Sequence, residues 1–152
     1  MSIQTYLNNV TKAKRKESLA NSDQLTLGEL ILKIEQIIKK HKESPEKHKE
    51  EATVRFDFEY LFPTEIDSWR GSYDELALNF ISDGEELTVS AFLRILKEAI
   101  GKSFTGYKGG EYIMNEYTPV WAANYGNSGN TAVINVMDRG YLVVLVTGYR
   151  EF

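Results

Sequence analysis

The chain has no cysteine, only two histidines and three prolines, and no long apolar run. Without cysteine it forms no disulfide, no thiolate metal site and no cysteine nucleophile, a composition that fits a reducing compartment. No apolar stretch reaches the roughly 18–20 residues of a membrane-spanning helix, and no basic and apolar signal sequence follows Met1. We therefore expect a cytoplasmic protein with no membrane partner, no metal and no cofactor.

Charge is distributed unevenly along the chain, whose net charge is −4. Residues 1–51 carry ten Lys and Arg against eight Asp and Glu, whereas residues 52–152 carry eight against fourteen. The acidic C-terminal part argues against an extended nucleic-acid partner, because such a surface needs many cations that neutralise phosphates. A small anionic ligand remains compatible, since one or two arginines in a pocket can bind a phosphate.

Both histidines, His41 and His48, fall in the charged segment 39–51. We interpret this segment as a solvated helix end and linker. Neither histidine is then expected to serve as the base for a serine nucleophile or as a metal ligand. The sequence therefore predicts a protein that is not an enzyme.

Two helices are predicted before this linker. Apolar residues at helical spacing behind Ser2 predict a first helix to about Leu19, and the capping box Thr26-x-x-Glu29 predicts the start of a second. We expect the two helices to form an N-terminal helical hairpin, which together with the charged linker occupies residues 1–50.

After the linker the pattern changes to that of a sheet. Alternating apolar residues predict strands, the first of which ends at Pro63. Thr88 is expected to cap one further helix, with a buried stripe that includes Ile100 and a C-terminal stop at Gly101. Segments 131–137 and 141–147 are predicted to form a β-hairpin.

Together these elements predict a single α+β domain over residues 1–152. Residues 51–152 form its core, an antiparallel β-sheet. The N-terminal helical hairpin and the one further helix pack on this sheet.

Two loops contain more binding chemistry than folding alone requires. The first, residues 63–73, places an indole, a guanidinium and a phenol beside Gly71, where a ligand can approach closely. The second, residues 104–130, interleaves glycines with aromatic and Asn side chains, which suits anion binding by backbone amides and stacking on a base. Each loop also has an ordinary interpretation. Trp69 could fill the core while Arg70 pairs with a nearby acid, and the second loop could be a set of packed β-turns.

Three motifs in this region resemble a known family. They are Ser68-Trp69-Arg70-Gly71-x-Tyr73, Gly106-Tyr107-Lys108-Gly109-Gly110-x-Tyr112 and Thr118-Pro119-Val120-Trp121-x-x-Asn124-Tyr125-Gly126. Over residues 54–147 the chain is similar to the Thoeris anti-defence (Tad) sponges of bacteriophages. This resemblance implies a phage protein of the host cytoplasm that sequesters cyclic ADP-ribose-type immune signals without cleaving them. It also implies symmetric homo-oligomers with ligand pockets at subunit contacts.

The favoured hypothesis is therefore a nucleotide-binding sponge for a cyclic nucleotide signal. Cationic side chains would neutralise a pyrophosphate, glycine-freed amides would donate to it, aromatic rings would stack on adenine, and Asn side chains would bind ribose or the base edge. The predicted ligand-binding residues are Trp69, Arg70, Tyr73, Phe104, Tyr107, Lys108, Gly109, Asn115, Asn124, Tyr125 and Arg139. The hypothesis requires the turn with Arg70 to lie beside the turn with Lys108.

Two other functions stay open. The protein could inhibit a host protein through its N-terminal helical hairpin, which includes the basic run at residues 12–16. It could instead cleave a nucleotide with carboxylates that we otherwise interpret as exposed loop acids, namely Glu65, Asp67, Asp74 and Glu75.

Overall fold

A computed structural model describes residues 23–44, 50–58, 62–68, 75–81, 86–105, 111–122 and 131–149. These ranges contain two helices, α1 (Leu27–Glu43) and α2 (Val89–Ala99), neither of which is long and apolar enough to cross a bilayer. They also contain eight strands: β1 (Thr53–Phe56), β2 (Phe62–Ser68), β3 (Leu76–Ile81), β4 (Ser103–Thr105), β5 (Glu111–Ile113), β6 (Val120–Ala122), β7 (Thr131–Asp138) and β8 (Leu142–Tyr149). The predicted first helix, and with it the helical hairpin, lies outside the described residues.

Six strands form one mixed sheet in the order β1-β8-β7-β6-β3-β2, and β4 pairs with β5 in a separate two-stranded sheet. The pairs β1–β8 and β3–β6 are parallel, while the other pairs are antiparallel. The combination of helices with a sheet is confirmed, but the expectation of an antiparallel sheet is wrong. The parallel pairs join strands that are not consecutive in the sequence, so no short turn motif marks them. The edge strands β1 and β2 contact each other, which shows that the six-stranded sheet curls.

Helix α1 begins where the capping box predicts. The Thr26 hydroxyl accepts a hydrogen bond from the Glu29 N–H, and a Glu29 carboxylate oxygen accepts one from the Thr26 N–H, both at 3.2 Å. One face of the helix is buried in the core through its residues Leu27, Leu30, Ile31 and Ile34. Burial of each such side chain contributes roughly 2 kcal/mol to folding. The helix continues to Glu43, so the charged segment that starts at residue 39 begins inside it.

The residues before α1 are part of the sheet. Leu25 donates its N–H to the Val133 carbonyl at 2.8 Å and accepts from the Val120 N–H at 3.1 Å. Among the described residues, β6 and β7 pair directly at one position, Trp121 with Ala132. Leu25 therefore bridges the two strands where they separate, and it attaches the start of α1 to both.

Helix α2 follows its prediction at both ends. The Thr88 hydroxyl accepts from the N–H three residues later at 3.2 Å, and Gly101, with a φ of 80°, follows the helix. The Glu51 carboxylate accepts from the Ser90 N–H at 2.8 Å, which places a negative charge at the helix N-terminus, where the helix dipole favours it. The expected burial of Ile100 is wrong, because this side chain follows the last helical residue and is 45% exposed.

The main hydrophobic core lies between the helices and one face of the sheet. On β3, Leu76 and Leu78 face this core and are completely buried. Side chains alternate along a strand, so Ala77 faces the other way, where it packs with Trp121 and Ala132 in a second buried cluster. Both faces of the sheet are therefore covered at β3.

Strand β2 corrects the interpretation of residues 63–73 as a loop. It occupies residues 62–68 and pairs with β3, with a register irregularity between Pro63 and Glu65. Pro63 thus lies inside a strand instead of ending one. The sheet tolerates a proline there because β2 is an edge strand and Pro63 lies beside the register irregularity near its start. The preceding strand, β1, ends earlier than expected, at Phe56.

Candidate ligand-binding site

The strand directions determine which predicted segments can meet. β3, β6 and β8 run in one direction, and β2 and β7 run in the other. The connection 69–74, between β2 and β3, therefore joins the sheet at the same end as the turn between β7 and β8. The connection 123–130, between β6 and β7, joins it at the opposite end. We call the end with the β7–β8 turn the Arg139 end, after the predicted binding residue in this turn.

Asp138 closes the β7–β8 turn and holds it against α1. Both of its carboxylate oxygens lie 2.9 Å from Nε2 of His41, and Oδ1 also accepts from the Gly140 N–H at 2.9 Å. Because an ionised carboxylate only accepts, the hydrogen lies on Nε2 of His41. The Arg139 N–H donates to the Leu142 carbonyl at 2.8 Å. Gly140 has a φ of 88°, a backbone angle that residues other than glycine rarely adopt. The turn is thus fixed both internally and from the helix.

The surroundings of Asp138 favour its charged form. Burial by itself raises the pKa of this carboxyl, but the Gly140 N–H, the His41 ring and the nearby Lys40 charge together bring the pKa below its ordinary value. The side chains of His41 and Asp138 are only 10% and 18% exposed. His41 lies at a helix end, but the expectation that it is solvated there is wrong, because the last turn of α1 carries it against β7.

Arg139 is exposed in this turn. In the described part of the chain no ion pair joins its guanidinium to a carboxylate, and the adjacent Asp138 is bound by His41. An exposed guanidinium in such surroundings can form two parallel hydrogen bonds to a phosphate or a carboxylate. The geometry is compatible with the predicted role of Arg139, which stays a prediction.

A buried polar pair fixes the start of β3. Nε1 of Trp121 donates a hydrogen bond to a Glu75 carboxylate oxygen at 3.0 Å. Glu75 is 3% exposed and Trp121 is fully buried. Because Glu75 directly follows the connection 69–74, this bond anchors one end of the segment that contains Trp69 and Arg70. The interpretation of Glu75 as an exposed loop acid is wrong, and its burial argues against a solvated catalytic pair at this position.

Most predicted ligand residues lie outside the described residues: Trp69, Arg70, Tyr73, Tyr107, Lys108, Gly109, Asn124 and Tyr125. The same holds for His48, for Asp74 and for the side chains of Glu65 and Asp67. The required contact between the turns of Arg70 and Lys108 therefore stays a prediction. The strands that flank these turns are described, since Ser68 pairs with Leu76 and Thr105 pairs with Glu111. Paired strands of this kind are typical supports for binding loops.

Phe104, a predicted stacking residue, belongs to the main core. Its side chain is 7% exposed, and Nζ of Lys102 lies 5.2 Å from the centre of its ring. A ring in this position offers too little free surface to stack on a base. Packing is the role that the structure supports for Phe104.

Asn115, predicted to bind ribose or a base edge, organises the turn before β6. Its side-chain oxygen accepts from the Tyr117 N–H at 2.7 Å, and its N–H donates to the Thr118 hydroxyl at 2.9 Å. Two carbonyls of the same turn accept from the first N–H groups of α1, those of Leu27 at 2.7 Å and Gly28 at 2.8 Å. The structure thus supports a role for Asn115 in shaping the turn on which α1 begins.

A cavity of about 390 Å³ lies beside the His41–Asp138 pair, and it was missed by sequence reasoning. Its lining includes Ile38, His41, Glu51, Ala52 and Val89, from both helices and from the segment before β1. The charged composition of residues 39–51 led us to interpret them as solvated, so the sequence did not predict this cavity. The three-residue spacing of Ile38 and His41, which places both on one face of a helix, could have indicated it.

Comparison of the chain with protein-family models, with curated proteins and with solved structures gives no significant match.

Proposed function

We propose that the protein binds and sequesters an anionic nucleotide-type small molecule, a cyclic ADP-ribose-type or other cyclic nucleotide immune signal, without cleaving it. The proposed setting is the host cytoplasm during phage infection. The supporting observation is the Arg139 end of the sheet. There, an exposed arginine whose neighbouring acid is already bound shares one end of the sheet with the connection that contains Trp69 and Arg70.

The chemistry of these groups suits a nucleotide. Two guanidinium groups can neutralise a pyrophosphate by paired hydrogen bonds, and an indole offers a face for a base. Sequestration needs only complementarity to the ground state of the ligand, whereas catalysis needs stronger binding of the transition state. A binding protein therefore requires no further groups beyond cations, ring faces and hydrogen-bond donors.

The opposite position of the connection 123–130 bears on the proposed homo-oligomer. Asn124 and Tyr125 belong to this connection, which joins the sheet away from the Arg139 end. A second copy of the chain is the more direct source of these side chains for a ligand held at the Arg139 end. We therefore include a homo-oligomer in the proposal.

Isothermal titration with cyclic ADP-ribose isomers, cyclic dinucleotides and linear ADP-ribose tests the proposal. We expect Arg70→Ala and Arg139→Ala each to weaken binding about tenfold or more, because each removes a charge-assisted hydrogen bond of about 1.5–3 kcal/mol. Arg94→Ala is the matched control, since Arg94 is exposed on α2, and we expect it to bind as the wild type does. Mass spectrometry after long incubation should recover the ligand unchanged. Cleavage products, or wild-type protein that binds no member of this panel, would contradict the proposal.

Deletion of residues 1–22 tests the host-inhibitor alternative. Loss of anti-defence activity with unchanged nucleotide affinity would favour a protein partner for the N-terminal part. Retained activity would favour the sponge.

A further inference from the structure

We propose that His41 is a positioning residue for Arg139. By binding both carboxylate oxygens of Asp138, it prevents this acid from pairing with the neighbouring guanidinium, and it fixes the turn that carries the guanidinium. The inference rests on the proposed function, because it assigns His41 a role in the same anion site.

His41 and Arg139 compete for one carboxylate, that of Asp138. Asp138 and Arg139 are adjacent in a tight turn, where an acid and an arginine can form a local ion pair that neutralises both charges. Here both oxygens of Asp138 lie 2.9 Å from Nε2 of His41, and one of them also accepts from the Gly140 N–H. The carboxylate is directed toward α1, so the positive charge of Arg139 remains available to an anion from solution.

The helix that holds the β7–β8 turn, α1, is itself firmly anchored. Helix α1 is held at its start by the Thr26–Glu29 capping box and by the backbone bonds of Leu25 to two strands. His41, in the last turn of this helix, is 10% exposed. The β7–β8 turn is therefore fastened to a well-anchored element, which reduces the conformational freedom that Arg139 would lose on binding.

Local charge also favours anion binding at this turn. Lys40 lies close enough to Asp138 for its charge to act on that carboxyl, and Lys40 and Lys42 are both exposed in the last turn of α1. With Asp138 bound to His41, an approaching anion meets a group of two cations near this carboxylate, Arg139 and Lys40. If Asp138 turned toward Arg139, the strongest phosphate-binding member of that group would be neutralised.

Titration of the full chain with inorganic pyrophosphate, followed by calorimetry, tests this role. We expect Arg139→Ala and His41→Leu to weaken pyrophosphate binding about tenfold. His41→Gln should stay within about twofold of the wild type, because its amide N–H can still donate to Asp138. Arg94→Ala again serves as the control for loss of an exposed arginine.

The decisive variant combines His41→Leu with Asp138→Asn. If His41 acts by occupying the carboxylate, removal of that negative charge should restore most of the lost affinity, whereas general damage to the fold would not be repaired. Loss of binding in Arg139→Ala together with no loss in His41→Leu, or with no rescue in the double variant, would overturn the positioning role alone. Equal pyrophosphate binding by the wild type and Arg139→Ala would overturn both this role and the proposed use of Arg139 in nucleotide binding.

Discussion

The Glu75–Trp121 pair allows a prediction of magnitude that can be worked out from the structure. Trp121→Phe removes the indole N–H that donates to Glu75 at 3.0 Å, and it leaves a fully buried ring position with a smaller ring. Glu75→Gln is the matched variant, because its side-chain oxygen can still accept from the indole. The first variant should therefore cost considerably more stability than the second.

Two terms make up the cost of Trp121→Phe. The lost hydrogen bond contributes about 1 kcal/mol if its acceptor is neutral and about 1.5–3 kcal/mol if it is ionised. The lost ring volume, about 40 Å³, adds about 1 kcal/mol at roughly 24 cal/mol per Å³ of cavity. We expect a total of about 2–4 kcal/mol, against about 1 kcal/mol or less for Glu75→Gln.

Equilibrium urea unfolding followed by circular dichroism measures these changes without depending on tryptophan fluorescence. For a chain of this size, the expected loss corresponds to a decrease in Tm of roughly 4–16 °C. A double-mutant cycle of Trp121→Phe with Glu75→Leu isolates the bond, for which we expect a coupling energy of about 1–2 kcal/mol. A coupling energy near zero would refute the view that this bond anchors β3.

Three further predictions concern the fold and its pH dependence. Gly28→Ala should destabilise the protein by about 1–3 kcal/mol despite the better helix propensity of alanine, because the added Cβ would lie 2.9 Å from the Glu116 carbonyl oxygen; an increased Tm would contradict this close approach. Thr26→Ala should cost about 1 kcal/mol in urea unfolding through loss of the helix cap, and an unchanged midpoint would argue against the cap. Asp138→Asn should cost about 1–2 kcal/mol at neutral pH. Because folding lowers the pKa of Asp138, its contribution is complete above the unfolded-state pKa and is lost as the pH falls through the folded-state pKa. The wild type and Asp138→Asn should therefore converge in acid, and a difference that is independent of pH would count against the His41–Asp138 pair.

Local sequence signals predicted the two described helices and the last hairpin correctly. Thr26 and Thr88 cap the two described helices, and Gly101 follows the second. These features depend on residues within one or two turns of each other, so a short stretch of sequence contains all the required information. The β7–β8 hairpin was predictable for the same reason, since its strands are joined by a short turn with Gly140 at positive φ.

Features that depend on distant residues were not predictable in this way. β1 pairs in parallel with β8, and no turn between them marks the pairing. His41 looked solvated because its sequence neighbours are charged, yet its partner Asp138 is 97 residues away. Glu75 looked like a loop acid because a residue that binds it, Trp121, lies on another strand. At the candidate site, Arg139 was predicted from its chemistry, whereas the contact of His41 with the neighbouring Asp138 could be found only from the fold.

The bridge that Leu25 makes between β6 and β7 has a consequence for the order of folding. The neighbouring side-chain bond from Gln24 to the Val120 carbonyl spans 96 residues, so during synthesis the start of α1 is made long before the strands that receive it. Contacts of such long range form slowly, because the intervening chain must first be brought together at an entropic cost. The sheet is therefore expected to close late, and the polypeptide to complete its fold only after β8, which pairs with both β1 and β7, has left the ribosome.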